Sequence, residues 1–226
     1  MSRRIRALLF DFDGTLWDSE SAVFEAYRRL YASHGEELPM ERWAAGVGTL
    51  GDYDPVAELE TRLGRALEEL EGGDPWDHLA GELDGVGLRP GVRATIGQAE
   101  ELGLALGIVS SNDRAWVERH LARLDLGEGW DVIATADGDE RRAKPNPALY
   151  VEALGELSMT PDEALALEDS PHGITAAKTA GVFCVAVPNE VTASLDLSKA
   201  DLVIGSLEER PLTELIAVAE RTRSEA

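Results

Sequence analysis

The chain has 226 residues, enough for one large domain or for one domain carrying a smaller insertion. Apolar residues make up 44% and charged residues 28%, an ordinary globular composition that excludes a disordered tail. Forty-three acidic residues oppose 21 basic ones, so the net charge of −22 repels nucleic acid phosphates and anionic membrane surfaces, and neither is expected as a partner.

After Ser2-Arg3-Arg4, a short apolar run through Phe10 stops at Asp11. It is too brief for a signal sequence, and no stretch approaches the ~18 apolar residues of a membrane span. A soluble, cytoplasmic protein is expected. The run Ile5–Phe10 is apolar on both faces, as in a strand buried in a parallel sheet. Asp11-Phe12-Asp13-Gly14-Thr15 follows it directly.

Residues 18–86 differ in kind. Ser21–Tyr31, Pro55–Leu70 and Asp74–Leu83 are helix-like, no strand run lies among them, and Gly72-Gly73 and Gly85-Val86-Gly87 supply turns. This stretch holds seventeen acidic residues against five basic ones and no lysine. A helical, acidic insertion thus follows the first strand, dividing the chain into a core (1–17 plus 87–226) and a smaller cap (18–86). Between its helices, Gly46–Gly51 is either a flexible turn or backbone brought close to the nucleophile. Trp43, Tyr53 and Trp76 read as the insertion's own core.

From Pro90 onward strands and helices alternate. Helical spacing marks Gly91–Leu102, Arg114–Leu124, Pro147–Leu157 and Pro171–Ala180. Short apolar runs mark strands at Leu104–Val109, Val132–Ala134, Ala164–Leu167, Val182–Val187 and Leu202–Ile204. The pattern predicts an α/β fold with a doubly wound parallel sheet. Cys184, the single cysteine, lies in one of these runs and reads as a buried free thiol in a reducing compartment.

Ligands of such sheets bind beyond the carboxyl ends of the strands. There stand Asp11 and Asp13, then Ser110-Ser111-Asn112, then Lys144-Pro145-Asn146, then Glu168-Asp169-Ser170-Pro171-His172-Gly173. Taken singly, each has a structural use: a turn, a helix cap, a solvated lysine, a dipole-favoured anion. A capped helix start is also an anion site.

Together these residues closely resemble the four motifs of the haloacid dehalogenase superfamily, in order: Asp11–Leu16, Ser110, Lys144-Pro145 and Glu168-Asp169. The likeness spans nearly the whole chain, including Leu88-Arg89-Pro90-Gly91-Val92. A small helical cap after the first motif is similar to the phosphoglucomutase-like and phosphoglycolate phosphatase-like branch. The resemblance implies a Rossmann-like core and magnesium-dependent hydrolysis of a small phosphorylated metabolite. Asp11 would be the nucleophile forming an aspartyl-phosphate, and Asp13 the general acid and base. Ser110, Ser111 and neighbouring amides would hold phosphate oxygens, and Lys144 would neutralise both phosphate and Asp11. Asp11 and Asp169, the main-chain carbonyl of Asp13, and Glu168 (directly or through water) would hold the metal.

Asp13 speaks against the dehalogenase members, which lack it. The absence of lysine from residues 1–143 speaks against phosphonate cleavage and weakens the alternative of a sugar-phosphate mutase, although Arg42, Arg62 and Arg65 can stand in for cap lysines. A receiver-like phosphoacceptor domain would lack the insertion, and a catalytically silent relative would not keep all four motifs. Ala143 departs from the glycine frequent in relatives. Nothing in the sequence requires more than a monomer.

Overall fold

Four consecutive apolar residues, Ala7–Phe10, form β1 and are buried on both sides, as a central parallel strand requires. The computed structural model describes residues 5–49, 53–67 and 83–225. Ser2-Arg3-Arg4, the Gly51 end of the glycine loop, Gly72-Gly73, Trp76 and nearly all of the expected helix Asp74–Leu83 lie outside them.

The other strands are β2 (Ala105–Ser110), β3 (Val132–Thr135), β4 (Ala164–Glu168), β5 (Phe183–Ala186) and β6 (Leu202–Val203). They pair in parallel in the order β3-β2-β1-β4-β5-β6, as expected of a doubly wound sheet. Successive connections build outward from β1 on one side and then return to build on the other. The switch point therefore lies between β1 and β4, where Phe10 pairs with Leu167 and their carboxyl ends stand side by side.

Eight α-helices are found among the described residues. The insertion carries α1 (Ser19–Ser33), α2 (Met40–Ala44) and α3 (Pro55–Leu63). The rest are α4 (Val92–Glu101), α5 (Arg114–Arg123), α6 (Ala148–Glu156), α7 (Pro171–Thr179) and α8 (Leu212–Glu225). Three differences from expectation have local causes. The helix expected to reach Leu70 stops at Leu63, because Gly64 takes the left-handed conformation (φ 66°) and ends it. Helix α1 starts two residues early because the Asp18 carboxylate accepts from the Ser21 N–H as a side-chain cap. Helices α2 and α8 were not anticipated.

The two faces of the sheet bury different side chains. Leu8, Phe10, Ile108, Leu165, Leu167, Phe183 and Val185 pack with residues of α4, α5 and α8. Ala7, Leu9, Val109, Ala134, Ala164, Ala166, Cys184 and Ala186 meet α6 and α7 on the other face. Cys184 is a buried free thiol there. No helix among the described residues is long and apolar enough to cross a membrane.

The insertion joins the sheet through two adjacent strands of chain. Trp17 bridges to Asp13 and to Leu88, and the Arg89 N–H donates to the Leu16 carbonyl at 2.9 Å. Helix α5 lies against this crossing. His120 stacks on Trp17 with ring centroids 4.5 Å apart, and Arg123 covers the Trp17 ring at 4.7 Å. Burial, aided by the charges of Arg123 and Arg119, holds the His120 imidazole down to about 4.

In the unfolded chain a histidine titrates near 6.5. Between those values the unfolded chain binds a proton that the folded chain refuses, so this group's contribution is lost as the pH falls from about 6.5 to about 4. A His120→Phe variant keeps a ring in the stack. Over that window it should lose less stability than the parent, by roughly 1–3 kcal/mol in urea denaturation at pH 7, 5 and 4. Parallel pH dependences in the two proteins would contradict this.

Candidate active site

The carboxyl edge of the sheet collects side chains from five connections. Asp11 follows β1 immediately, and its N–H extends the pairing with β4 by donating to the Leu167 carbonyl at 2.9 Å. Glu168 ends β4 and Asp169 follows it, so three buried carboxylates converge across the switch point. Each offers one oxygen within 4.8 Å of the others.

Lys144 reaches into this cluster from the connection after β3 and is itself buried, at 2% exposure. Its ammonium lies 2.5 Å from Asp11 Oδ1 and 2.7 Å from Glu168 Oε1. Burial alone would drive the lysine pKa down, but the two carboxylates outweigh it and hold Lys144 above the ordinary lysine value. Burial pushes Glu168 and Asp169 up from the usual carboxylate range, and the charge of Asp11 adds to both shifts. Tyr150 on α6 donates to Glu168 Oε1 at 2.6 Å, and Asn189 Nδ2 donates to Asp169 Oδ2 at 2.7 Å. Asp11 Oδ2 and Glu168 Oε2 are buried with no hydrogen-bond partner among the described residues.

Asp13 stands beside the cluster with its carboxylate fully engaged. It accepts from Ser19 Oγ at 2.9 Å, from Asn112 Nδ2 at 2.7 Å, and from Trp116 Nε1 at 3.2 Å to each oxygen. Burial lifts its pKa to about 6; Asn112, Ser19 and Trp116 pull the other way, and Asp11 adds to the rise. Arg89 braces the turn beneath. It donates to the carbonyls of Gly14 (2.6 Å), Val187 (2.7 Å) and Pro188 (2.7 Å).

At the end of β2, Ser110 Oγ accepts the Asn112 N–H at 3.1 Å. Ser111 Oγ accepts the Lys144 N–H at 3.1 Å and donates to the Gly48 carbonyl at 2.9 Å. Nearby, His172 Nδ1 lies 3.0 Å from the Val47 carbonyl, an acceptor, so this nitrogen carries the hydrogen. The glycine loop of the insertion therefore docks through its backbone onto Ser111 and His172, both at the sheet edge. Glu20, Trp43, Gly46–Thr49 and Tyr53 line a cavity of about 110 Å³. Burial first, then the charges of Asp13, Asp11 and Asp18, push Glu20 up to about 8. Trp43 also packs against Phe24, Tyr27 and Tyr53, as expected of an aromatic in the insertion's core.

All seven residues singled out in the sequence (Asp11, Asp13, Ser110, Ser111, Lys144, Glu168 and Asp169) come to this one edge. Sequence reasoning passed over Ser19, Glu20, Trp116, Tyr150 and Asn189. Asn112 stood in the quoted Ser110-Ser111-Asn112 run, and Arg89 in the quoted Leu88–Val92 run, without roles.

The haloacid dehalogenase-like hydrolase family, described by its own sequence model, matches residues 5–181. The chain belongs to this family. Among its relatives, the Bacillus subtilis (strain 168) protein named "Putative phosphatase YhcW" is 39% identical over 213 residues, covering 94% of this chain and 96% of that one. Validoxylamine A 7′-phosphate phosphatase of Streptomyces hygroscopicus subsp. limoneus is 31% identical over 204 residues, 90% of this chain and 95% of its own. A crystal structure of CbbY from Rhodobacter sphaeroides in complex with xylulose-(1,5)bisphosphate is 29% identical. It superposes with a TM-score of 0.67 over 91% of this chain and 96% of that one.

In this member of the family, Glu168 is pressed against the start of α7. A Cβ on Gly173 would lie 1.8 Å from Glu168 Oε2 and 2.2 Å from Cδ, so only glycine leaves room for the carboxylate. Gly173→Ala should destabilise the protein by roughly 1–3 kcal/mol in urea denaturation. Gly155→Ala, with nothing within 4 Å of the added methyl, should be neutral or mildly stabilising. Equal effects at the two positions would refute the crowding around Glu168.

Proposed function

We propose that this haloacid dehalogenase-like hydrolase is a magnesium-dependent phosphatase that cleaves a small phosphorylated metabolite through an aspartyl-phosphate on Asp11. The observation that carries this reading is the half-engaged Asp11 carboxylate. Lys144 holds Oδ1, while Oδ2 is buried and, among the described residues, without a hydrogen-bond partner. A nucleophile needs one oxygen oriented and the other available.

The donor set fits a hard divalent cation. Asp11, Glu168 and Asp169 bring oxygen ligands only. Once ionised, three carboxylates against one ammonium would leave a surplus of negative charge that magnesium would balance. Asp11 and Asp169, the Asp13 carbonyl and Glu168 would hold it, and it would neutralise charge on the transferring phosphoryl group.

In the first step Asp11 Oδ2 forms a bond to phosphorus as the ester P–O bond breaks, and Asp13 gives its proton to the departing alkoxide. In the second, Asp13 takes a proton from water. The resulting oxygen attacks phosphorus, releasing phosphate and restoring the Asp11 carboxylate. Ser110, Ser111 and Lys144 bind the phosphoryl oxygens throughout. Residues 18–86 act as a cap over the site, with Val47 and Gly48 docking on His172 and Ser111.

The cavity lined by the insertion's own residues supports a small, hydroxyl-bearing leaving group. Its lining includes Glu20 and, among the described residues, no lysine or arginine. The relatives' names, a validoxylamine A 7′-phosphate phosphatase and a protein crystallised with xylulose-(1,5)bisphosphate, agree with a small phosphorylated substrate. Transfer to water is favoured over the mutase reaction because residues 1–143 contain no lysine, and Arg42 and Arg62 are both paired with Glu58.

Purified protein should hydrolyse p-nitrophenyl phosphate with magnesium and lose that activity in EDTA. Asp11→Asn should cut turnover by on the order of 10³-fold or more, the scale seen when a nucleophile is removed. Undiminished activity in EDTA, or in the Asp11→Asn protein, would sink the proposal.

A further inference from the structure

The three donors to Asp13 come from two different parts of the molecule. Ser19 begins α1 in the insertion. Asn112 and Trp116 belong to the loop and helix that follow β2, in the sheet-bearing part of the chain. We propose that Asn112 and Trp116 are positioning residues that fix the Asp13 carboxyl relative to the sheet for proton transfer. This rests on Asp13 acting as the general acid and base.

Both donors are anchored. Asn112 is tied through its own N–H to Ser110 Oγ at 3.1 Å. The Trp116 ring lies 4.2 Å from that of His120 and 6.2 Å from that of Trp17, while His120 stacks on Trp17. Arg123, whose Nε lies 3.4 Å from His120 Nδ1, also covers the Trp17 ring and donates to the Val86 carbonyl at 2.8 Å and the Asp84 carbonyl at 3.1 Å. Residues 116, 120 and 123 recur at four- and three-residue spacing, which places them on one face of α5. That single face therefore grips the chain where it leaves the sheet, at Trp17, and where it returns, at Val86, and from the same platform aims an N–H at Asp13. An indole N–H can only donate, and here it is aimed at both oxygens of Asp13. Ser19 alone among the donors belongs to the insertion.

Proton delivery depends on such placement, since a misplacement of about 1 Å can cost about 10²-fold in rate. The dependence scales with the leaving group. Phenolate needs a proton as the P–O bond breaks, whereas p-nitrophenolate departs readily without one.

The test compares kcat/KM for phenyl phosphate and p-nitrophenyl phosphate, which reports through P–O cleavage and is blind to the later water attack. Asp13→Asn, Trp116→Phe, Asn112→Ala and the Trp116→Phe/Asn112→Ala double variant are assayed side by side. Trp116→Phe and Asn112→Ala should each lose about tenfold or more on phenyl phosphate and less than about threefold on p-nitrophenyl phosphate, with the double variant approaching the discrimination of Asp13→Asn. Equal losses on both esters, or none, in variants whose circular dichroism melts match the parent would overturn the positioning role. If those variants fail while Asp13→Asn still discriminates, only this inference falls. If Asp13→Asn itself does not discriminate, its acid–base assignment falls and the positioning role with it. Should Trp116→Phe not fold, Asn112→Ala, on an exposed side chain, decides by the same criterion.

Discussion

One buried ammonium makes the carboxyl edge of this protein possible. Three carboxylates with oxygens within 4.8 Å of one another would repel and take up protons in a dry interior. Lys144 Nζ, 2.5 Å from Asp11 and 2.7 Å from Glu168, lowers that cost by charge. Tyr150 and Asn189 lower it by hydrogen bonding, one to Glu168 and the other to Asp169. Burial first, and then the charge of Asp11, still leave Glu168 and Asp169 shifted upward.

Around that centre the chain is braced by two arginines that donate to main-chain carbonyls. The guanidinium of Arg89 ties the Gly14 turn after β1 to Val187 and Pro188 after β5, spanning β4 between them. A planar fork with several fixed donors suits such a task better than a lysine would. Arg123 does the same on the opposite side of the crossing, at Asp84 and Val86. Through Arg89 the turn that follows Asp11 and Asp13 is tied to the connection after β5.

The sheet was legible because every central strand is buried on both faces and leaves an unbroken apolar run, as Ala7–Phe10 and Ala164–Leu167 do. The principal site residues were legible because they stand next to those runs, at positions that parallel topology brings together. What stayed hidden has no such local mark. Tyr150 and Asn189 each reach the site from a separate connection, and as a helix tyrosine and a loop asparagine they carry no signal of their own. Trp116, His120 and Arg123 read as an ordinary amphipathic face, and only the folded crossing at Trp17 gives that face something to hold. The helix expected to run to Leu70 fails at Gly64, where periodicity persists but the backbone turns left-handed.

The hydroxyl of Ser111 joins the carboxyl edge of the sheet to the insertion, and it has a single hydrogen to give. In this structure that hydrogen goes to the Gly48 carbonyl, while the oxygen receives the N–H of Lys144. A phosphoryl oxygen arriving at the same hydroxyl would have to take the hydrogen away from Gly48. Docking of the glycine loop and side-chain recognition of phosphate by Ser111 are thus rivals for one proton donor. If Ser111 binds phosphate as proposed, filling the site would loosen its hydrogen bond to Gly48, leaving that of His172 to Val47.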